Sequence, residues 1–126
     1  MSRLVIRTSG LKARRRVKDD ADILEMRLLV YGSRGWIGGQ FCRLLDESGI
    51  DYVGGLARAD SDDVINEIET YKPTHVLSLI GRTHGPSSST IDYLEEKGAI
   101  EVNLRDNLYA PVKLAALCSS KNIHFL

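Results

Sequence analysis

The chain has 126 residues, sets 17 basic against 17 acidic side chains and is 43% hydrophobic. That is the size of one domain able to bury a real core, with neither the charge of a nucleic-acid binder nor the composition of a disordered chain. No apolar run approaches a membrane span, and Cys42 and Cys118 lack metal-ligand spacing, so two buried thiols in a reduced cytoplasm are expected, with no metal and no disulfide framework.

Residues 1–25 do not share the pattern of the remaining chain. Arg3, Arg7, Lys12, Arg14, Arg15, Arg16 and Lys18 precede any acid, and Asp19, Asp20, Asp22 and Glu25 then arrive together. This reads as a flexible, solvated extension, so neither nucleic acid nor a membrane is expected as a partner. Its early half faintly resembles an organelle presequence, and the cluster from Lys12 to Lys18 has the charge to touch an anionic surface. Met26 stands just before the first apolar run, which places the domain at 26–126.

Leu28 to Tyr31 reads as a short buried strand. It ends in Gly32, Gly35 and Gly38, spaced G-x-x-G-x-x-G, and a helical pattern comes next with Ile37, Phe41, Leu44 and Leu45 on one face. Strand, glycine turn and helix is the setting in which that spacing signals a dinucleotide. Glycines let the backbone turn tightly and approach a pyrophosphate, while free N–H groups at the helix start favour negative charge. A glycine-rich turn that binds nothing is the alternative.

Ser48-Gly49 closes the helix, and Ile50 to Ala57 is a second strand weakened by Gly54 and Gly55. Arg58 lies just past its end, where a dinucleotide fold reads the adenosine ribose. An acid there suits a free 2′-hydroxyl and an arginine suits a 2′-phosphate. Arg58, with Arg34 in the glycine loop, favours NADP(H); Asp60 or Asp62 as a ribose acid keeps NAD(H) open.

Ser61 is placed to cap a helix carrying Val64, Ile65, Ile68 and Tyr71, with Asp62 and Asp63 in its first turn, and Lys72-Pro73 breaks it. Thr74 to Gly81 is a third strand, nearly continuous in apolar residues as a central parallel strand should be. The result is βαβαβ, the mononucleotide-binding half of a Rossmann-like, doubly wound α/β fold with three layers. A polar loop, Arg82 to Thr90, leaves the carboxyl end of that strand, where ligands sit in open α/β sheets. His84 within it reads as solvated. A short helical stretch through Tyr93, Leu94 and Lys97 precedes a longer one from Ile100 to Ser119, in which Pro111 should mark a kink or a fresh first turn, and Asn103 and Asn107 share a face. Ile123 to Leu126 begins a fourth strand, at which the sheet is expected to be cut short.

The runs Leu29–Gly39, Lys72–Val76 and Asn103–Pro111 together resemble the extended short-chain dehydrogenase/reductase superfamily. More closely, they are similar to nucleotide-sugar 4-keto reductases of the dTDP-4-dehydrorhamnose reductase type, and to the plant and giant-virus 3,5-epimerase/4-reductase group of rhamnose synthesis. Such enzymes reduce the 4-keto group of a nucleotide-linked 4-keto-6-deoxyhexose with NAD(P)H. The resemblance covers about residues 27–126 and assigns the pyrophosphate loop to Gly32, Ser33, Arg34, Gly35, Trp36, Ile37 and Gly38. It assigns the ribose reader to Arg58, the segment bordering the cofactor to Ile80, Gly81, Arg82 and Thr83, and a brace for the active site to Asn107.

Catalysis does not carry over. The family uses a Tyr-x-x-x-Lys pair on the helix after the fourth strand, helped by a Ser or Thr at that strand's end; the tyrosine protonates the substrate oxygen as hydride arrives. Tyr93/Lys97 and Tyr109/Lys113 have that spacing but precede the fourth strand, so both read as decoys and no catalytic residue is assigned. The expectation is therefore the cofactor-binding half of a nucleotide-sugar reductase, inactive alone. Its partner would be the dinucleotide, the sugar nucleotide would bind only in a complete relative, and self-association could run through the unfinished sheet. A non-catalytic dinucleotide module and a degenerate remnant are the alternatives.

Overall fold

A computed structural model of the chain describes residues 26–86 and 88–126. The expectations for the basic-then-acidic segment 1–25 lie outside the described residues. Four parallel strands form one sheet: β1 (Leu28–Tyr31), β2 (Tyr52–Gly54), β3 (His75–Ser78) and β4 (His124–Phe125), in the order β2-β1-β3-β4. Leu28 stands opposite Tyr52 on one side and His75 on the other, and His75 in turn opposite His124. All four residues of β1 are buried, as the central strand requires.

Two apolar clusters lie on opposite faces of this sheet, because successive strand residues alternate sides. Leu29, Tyr31, Val53 and Val76 meet Val64 and Ile68 of α2 (Asp63–Tyr71) and Ala110, Leu114 and Cys118 of α4 (Ala110–Ser120). Leu28 and Val30 meet Cys42 and Leu45 of α1 (Trp36–Ser48). The three-layer Rossmann-like architecture is therefore present. Among the described residues only α1 covers this face, and Leu77 and Leu79 are half-buried there, with β3 less enclosed than its apolar run suggested.

Several boundaries differ from the sequence reading. The second strand is Tyr52–Gly54 rather than the whole of 50–57, although the Gly55 N–H still donates to the Val30 carbonyl. β3 stops at Ser78, with one more ladder bond from the Leu79 N–H to the Tyr31 carbonyl. The stretch around Tyr93 is a 3-10 helix, Ile91–Glu95, that ends before Lys97. The inward face of α1 is Gly38, Cys42 and Leu45, while Ile37 and Leu44 face solvent. Close packing of Gly38 on the glycine loop fixes that rotation.

The long helix is continuous but has three parts: α3 (Ile100–Leu104), a π segment (Arg105–Tyr109) and α4. In the π segment the Ala110 N–H reaches back to the Arg105 carbonyl. Pro111, in the first turn of α4, has no N–H to offer the Asn107 carbonyl, and the wider turn just before it absorbs that lost bond. Gly49 closes α1 at φ 67°, with the Ile50 N–H on the Leu45 carbonyl. α2 is capped by Asp62 rather than Ser61, with no side-chain capping bond, although Ser61 Oγ accepts from the Asp63 N–H at 3.3 Å.

Candidate functional site

The strand order reverses between β1 and β3, since β2 lies to one side of β1 and the later strands to the other. A crevice forms beyond the carboxyl ends of two strands that part in this way. Here it is a cavity of about 320 Å³ bounded by the glycine loop, the end of β2, the segment after β3 and the π segment.

The glycine loop is packed so tightly that two of its positions admit no side chain. Gly32 has φ 80°, and a Cβ on it would lie 2.7 Å from the Leu79 carbonyl carbon. A Cβ on Gly38 would lie 2.0 Å from the Gly32 carbonyl oxygen. The start of α1 is thereby pressed beneath the loop. That helix has no side-chain cap and no acid in its first turn, so the positive end of its dipole is left uncompensated just behind Gly35, which lines the crevice. The chemistry fits a pyrophosphate, which would accept from N–H groups at the helix start.

Beyond the loop a row of charges crosses the crevice mouth. Arg58 forks onto Asp60, Nε and Nη2 each donating at 3.1 Å. Arg105 Nε lies 4.0 Å from Asp60 Oδ2 and donates to Asp106 Oδ1 at 2.7 Å, while its Nη2 donates to Asp106 Oδ2 at 3.1 Å. Arg82 Nε completes the row with 2.7 Å to Asp106 Oδ2. The Arg105 guanidinium, and Arg82 after it, hold the Asp106 carboxyl below the usual aspartate range, and Arg58 does the same for Asp60. Arg34 is exposed and makes no hydrogen bond or ion pair among the described residues.

The residues singled out in the sequence do not all meet here. Gly32, Ser33, Arg34, Gly35, Arg58, Ile80 and Arg82 line the crevice. Trp36 and Ile37 turn their side chains to solvent, Trp36 being 82% exposed, and can offer the crevice only backbone N–H groups. Gly38 lies beneath the loop. Gly81 and Thr83 stand beside the lining, and Asn107 stands behind it, bonded to the backbone of Arg82. Tyr93, Lys97, Tyr109 and Lys113 do not line the crevice. Tyr93 packs its ring against Gly85, where a Cβ would lie 2.1 Å from it, and Lys113 Nζ donates to Asp62 Oδ1 at 2.8 Å.

Sequence reasoning missed four contributors. Arg105 and Asp106 immediately precede Asn107, and an Arg-Asp pair directly beside a marked position was the available signal. Glu67 of α2 accepts from the Leu56 N–H at 2.8 Å and the Ala57 N–H at 3.3 Å, fixing the chain just ahead of Arg58. Nothing in its spacing marks it. Tyr31 lies under this region with its ring against Gly55, and burial, reinforced by the Glu67 charge, pushes its hydroxyl well above the ordinary tyrosine value. Among the described residues no cluster of three or more His, Cys, Asp or Glu is placed to hold a metal, and no helix is long and apolar enough to cross a membrane.

No protein-family model matches the chain. The L780 protein of Acanthamoeba polyphaga mimivirus is 47% identical over 100 residues, which are 79% of this chain and 35% of that one. Its crystal structure, described as that of a UDP-rhamnose synthase, matches with a TM-score of 0.76. The bifunctional dTDP-4-dehydrorhamnose 3,5-epimerase/dTDP-4-dehydrorhamnose reductase of Arabidopsis thaliana is 34% identical over 96 residues, 75% of this chain and 30% of its own length. The dTDP-4-dehydrorhamnose reductase of Bacillus anthracis, solved in complex with NADP, shares the fold with a TM-score of 0.67 at 13% identity, over 83% of this chain and 36% of that one. The chain thus spans about a third of the length of the relatives it matches. It is homologous to that part of them and carries the Rossmann fold of the reductases.

Proposed function

We infer, from the homology of this chain to the nucleotide-sugar epimerase/reductases of rhamnose synthesis, that residues 26–126 are the dinucleotide-binding part of such an enzyme, preferring NADP(H) to NAD(H). The observation that carries this reading is the uncapped, acid-free start of α1 beneath a glycine loop, opening onto a crevice at the switch point of the sheet. Gly32, Gly35 and the N–H groups of Trp36 and Ile37 would hold the pyrophosphate, and Arg58 and Arg34 the adenosine 2′-phosphate. Ile80 to Thr83, braced by Asn107, would border the nicotinamide side.

The bound cofactor supplies the hydride that such enzymes deliver to a keto carbon. The residues present here bind and orient it. Neither Tyr-x-x-x-Lys spacing offers a proton donor at the crevice, so the described residues do not complete the reaction. Calorimetric titration with NADPH and, separately, NADH tests the reading. Saturable binding is expected, tighter for NADPH, with Arg58→Ala narrowing the difference. A folded chain that binds neither would leave the glycine loop as architecture only.

A further inference from the structure

Arg105 belongs to no part of the dinucleotide motif. It sits on the π segment, across the crevice from Arg58, and the two arginines flank the same carboxylate, Asp60. The row Arg58–Asp60–Arg105–Asp106–Arg82 has one more cation than anions, and all five residues line the cavity that the glycine loop closes from below. A guanidinium carries five N–H donors. Asp60 and Asp106 take only Nε and Nη2 of Arg58 and Arg105, which leaves Nη1 of each without a partner among the described residues. The Arg105 side chain keeps 35% of its surface exposed, at the crevice wall rather than within the helix packing.

The two carboxylates fix the guanidinium planes before any ligand arrives. An arginine held in this way loses little further freedom when it binds an anion. The pyrophosphate has its own donors in the loop and the start of α1. Arg58 and Arg105 both reach Asp60, in the segment after β2 where the adenosine ribose is read.

We propose that Arg105 is a specificity-determining residue that, opposite Arg58, binds the 2′-phosphate of NADP(H). This rests on the dinucleotide-binding reading above. The π turn that Pro111 imposes then has a functional consequence, since it sets the direction in which residue 105 leaves the helix.

The full chain is titrated with NADPH and NADH as wild type and as Arg105→Ala, with circular dichroism and thermal melting as folding controls. NADPH affinity should fall by about tenfold or more and NADH affinity change by less than about twofold, the scale of one lost hydrogen bond to a charged group. Arg105→Gln, which keeps much of the side-chain volume, should give the same selective loss and serves if the alanine variant does not fold. Equal weakening of both dinucleotides would mean that Arg105 only supports the fold at this site, and unchanged NADPH binding would mean that it does not touch the phosphate; either overturns the assignment. A folded wild type that binds neither dinucleotide removes the reading of the site itself, and the role of Arg105 with it.

Discussion

Asn107 grips Arg82 by both of its backbone groups. The Arg82 N–H donates to Asn107 Oδ1 at 2.8 Å, and Asn107 Nδ2 donates back to the Arg82 carbonyl at 3.0 Å and to Asn103 Oδ1 at 2.9 Å. A single amide side chain thus does for the chain beyond β3 what a neighbouring strand would do within the sheet. It also fixes where the Arg82 side chain starts, and so where the charged row ends.

Asn107→Ala should therefore lower stability by about 1 kcal/mol, because the bonds are solvent-accessible and their net worth is small. It should lower NADPH affinity by more than that loss alone implies, by releasing the segment that borders the cofactor. Asn107→Asp keeps the acceptor for the Arg82 N–H but sets a carboxylate oxygen against the Arg82 carbonyl, so it should rescue neither property. Urea denaturation and calorimetric titration of the two variants separate the effects.

Two adjacent glycines give opposite expectations. A Cβ on Gly38 would collide with the Gly32 carbonyl at 2.0 Å, and both partners are backbone, so nothing cheap can move. Gly38→Ala should destabilise the chain by about 1–3 kcal/mol and abolish dinucleotide binding. A Cβ on Gly39 would meet nothing within 4 Å. Gly39→Ala should stabilise α1 by about 0.5–1 kcal/mol, because alanine loses less backbone entropy in a helix. Thermal melts of the pair read both signs.

The charged row makes part of the stability depend on acid. Arg105, and then Arg82, depress the Asp106 carboxyl, so its folded value lies below its unfolded one. The stabilisation is complete above the unfolded value near pH 3.9 and is lost as pH falls from there through the depressed folded value. Asp106→Asn should cost about 1 kcal/mol near neutral pH and flatten this acid limb, since the neutral amide has no proton to gain. Denaturation midpoints measured from pH 7 down to pH 3 show the difference as two converging curves.

The range of the forces involved decides what the sequence disclosed and what it hid. The glycine loop, the cap at Gly49 and the apolar runs of β1 and β3 are local signals, and all stand near their expected places. The rotation of α1 was misjudged by one position because it is set by Gly38 against Gly32, a contact between backbones that hydrophobic periodicity does not register. Glu67 was invisible because its partners, the Leu56 and Ala57 N–H groups, belong to a separate segment brought beside it by the fold. Arg105 was hidden for the same reason, since Asp60 lies far from it in the chain. Pro111 was legible as an interruption, but its outcome as a π turn depends on which carbonyl loses its donor.

The second Tyr-x-x-x-Lys spacing marks how far the chemistry of this chain extends. Lys113 Nζ donates to Asp62 Oδ1 at 2.8 Å and to the Asp60 carbonyl at 3.3 Å, and the bond to Asp62 raises the lysine above its ordinary value. The ammonium therefore ties α4 to the start of α2. It lies 5.9 Å from the centre of the Tyr109 ring, and Tyr109 is 54% exposed, outside the crevice lining. On the proposed reading, a tyrosine so placed donates no proton to a ligand in the crevice. Tyr109→Phe should leave NADPH affinity within about twofold of the wild type, a difference of less than about 0.5 kcal/mol. Wild type and variant alike should oxidise no NADPH in the presence of a nucleotide-linked 4-keto-6-deoxyhexose, followed by loss of the nicotinamide absorbance. Turnover by the wild type that Tyr109→Phe abolishes would instead make this pair catalytic and place the whole reaction within these residues.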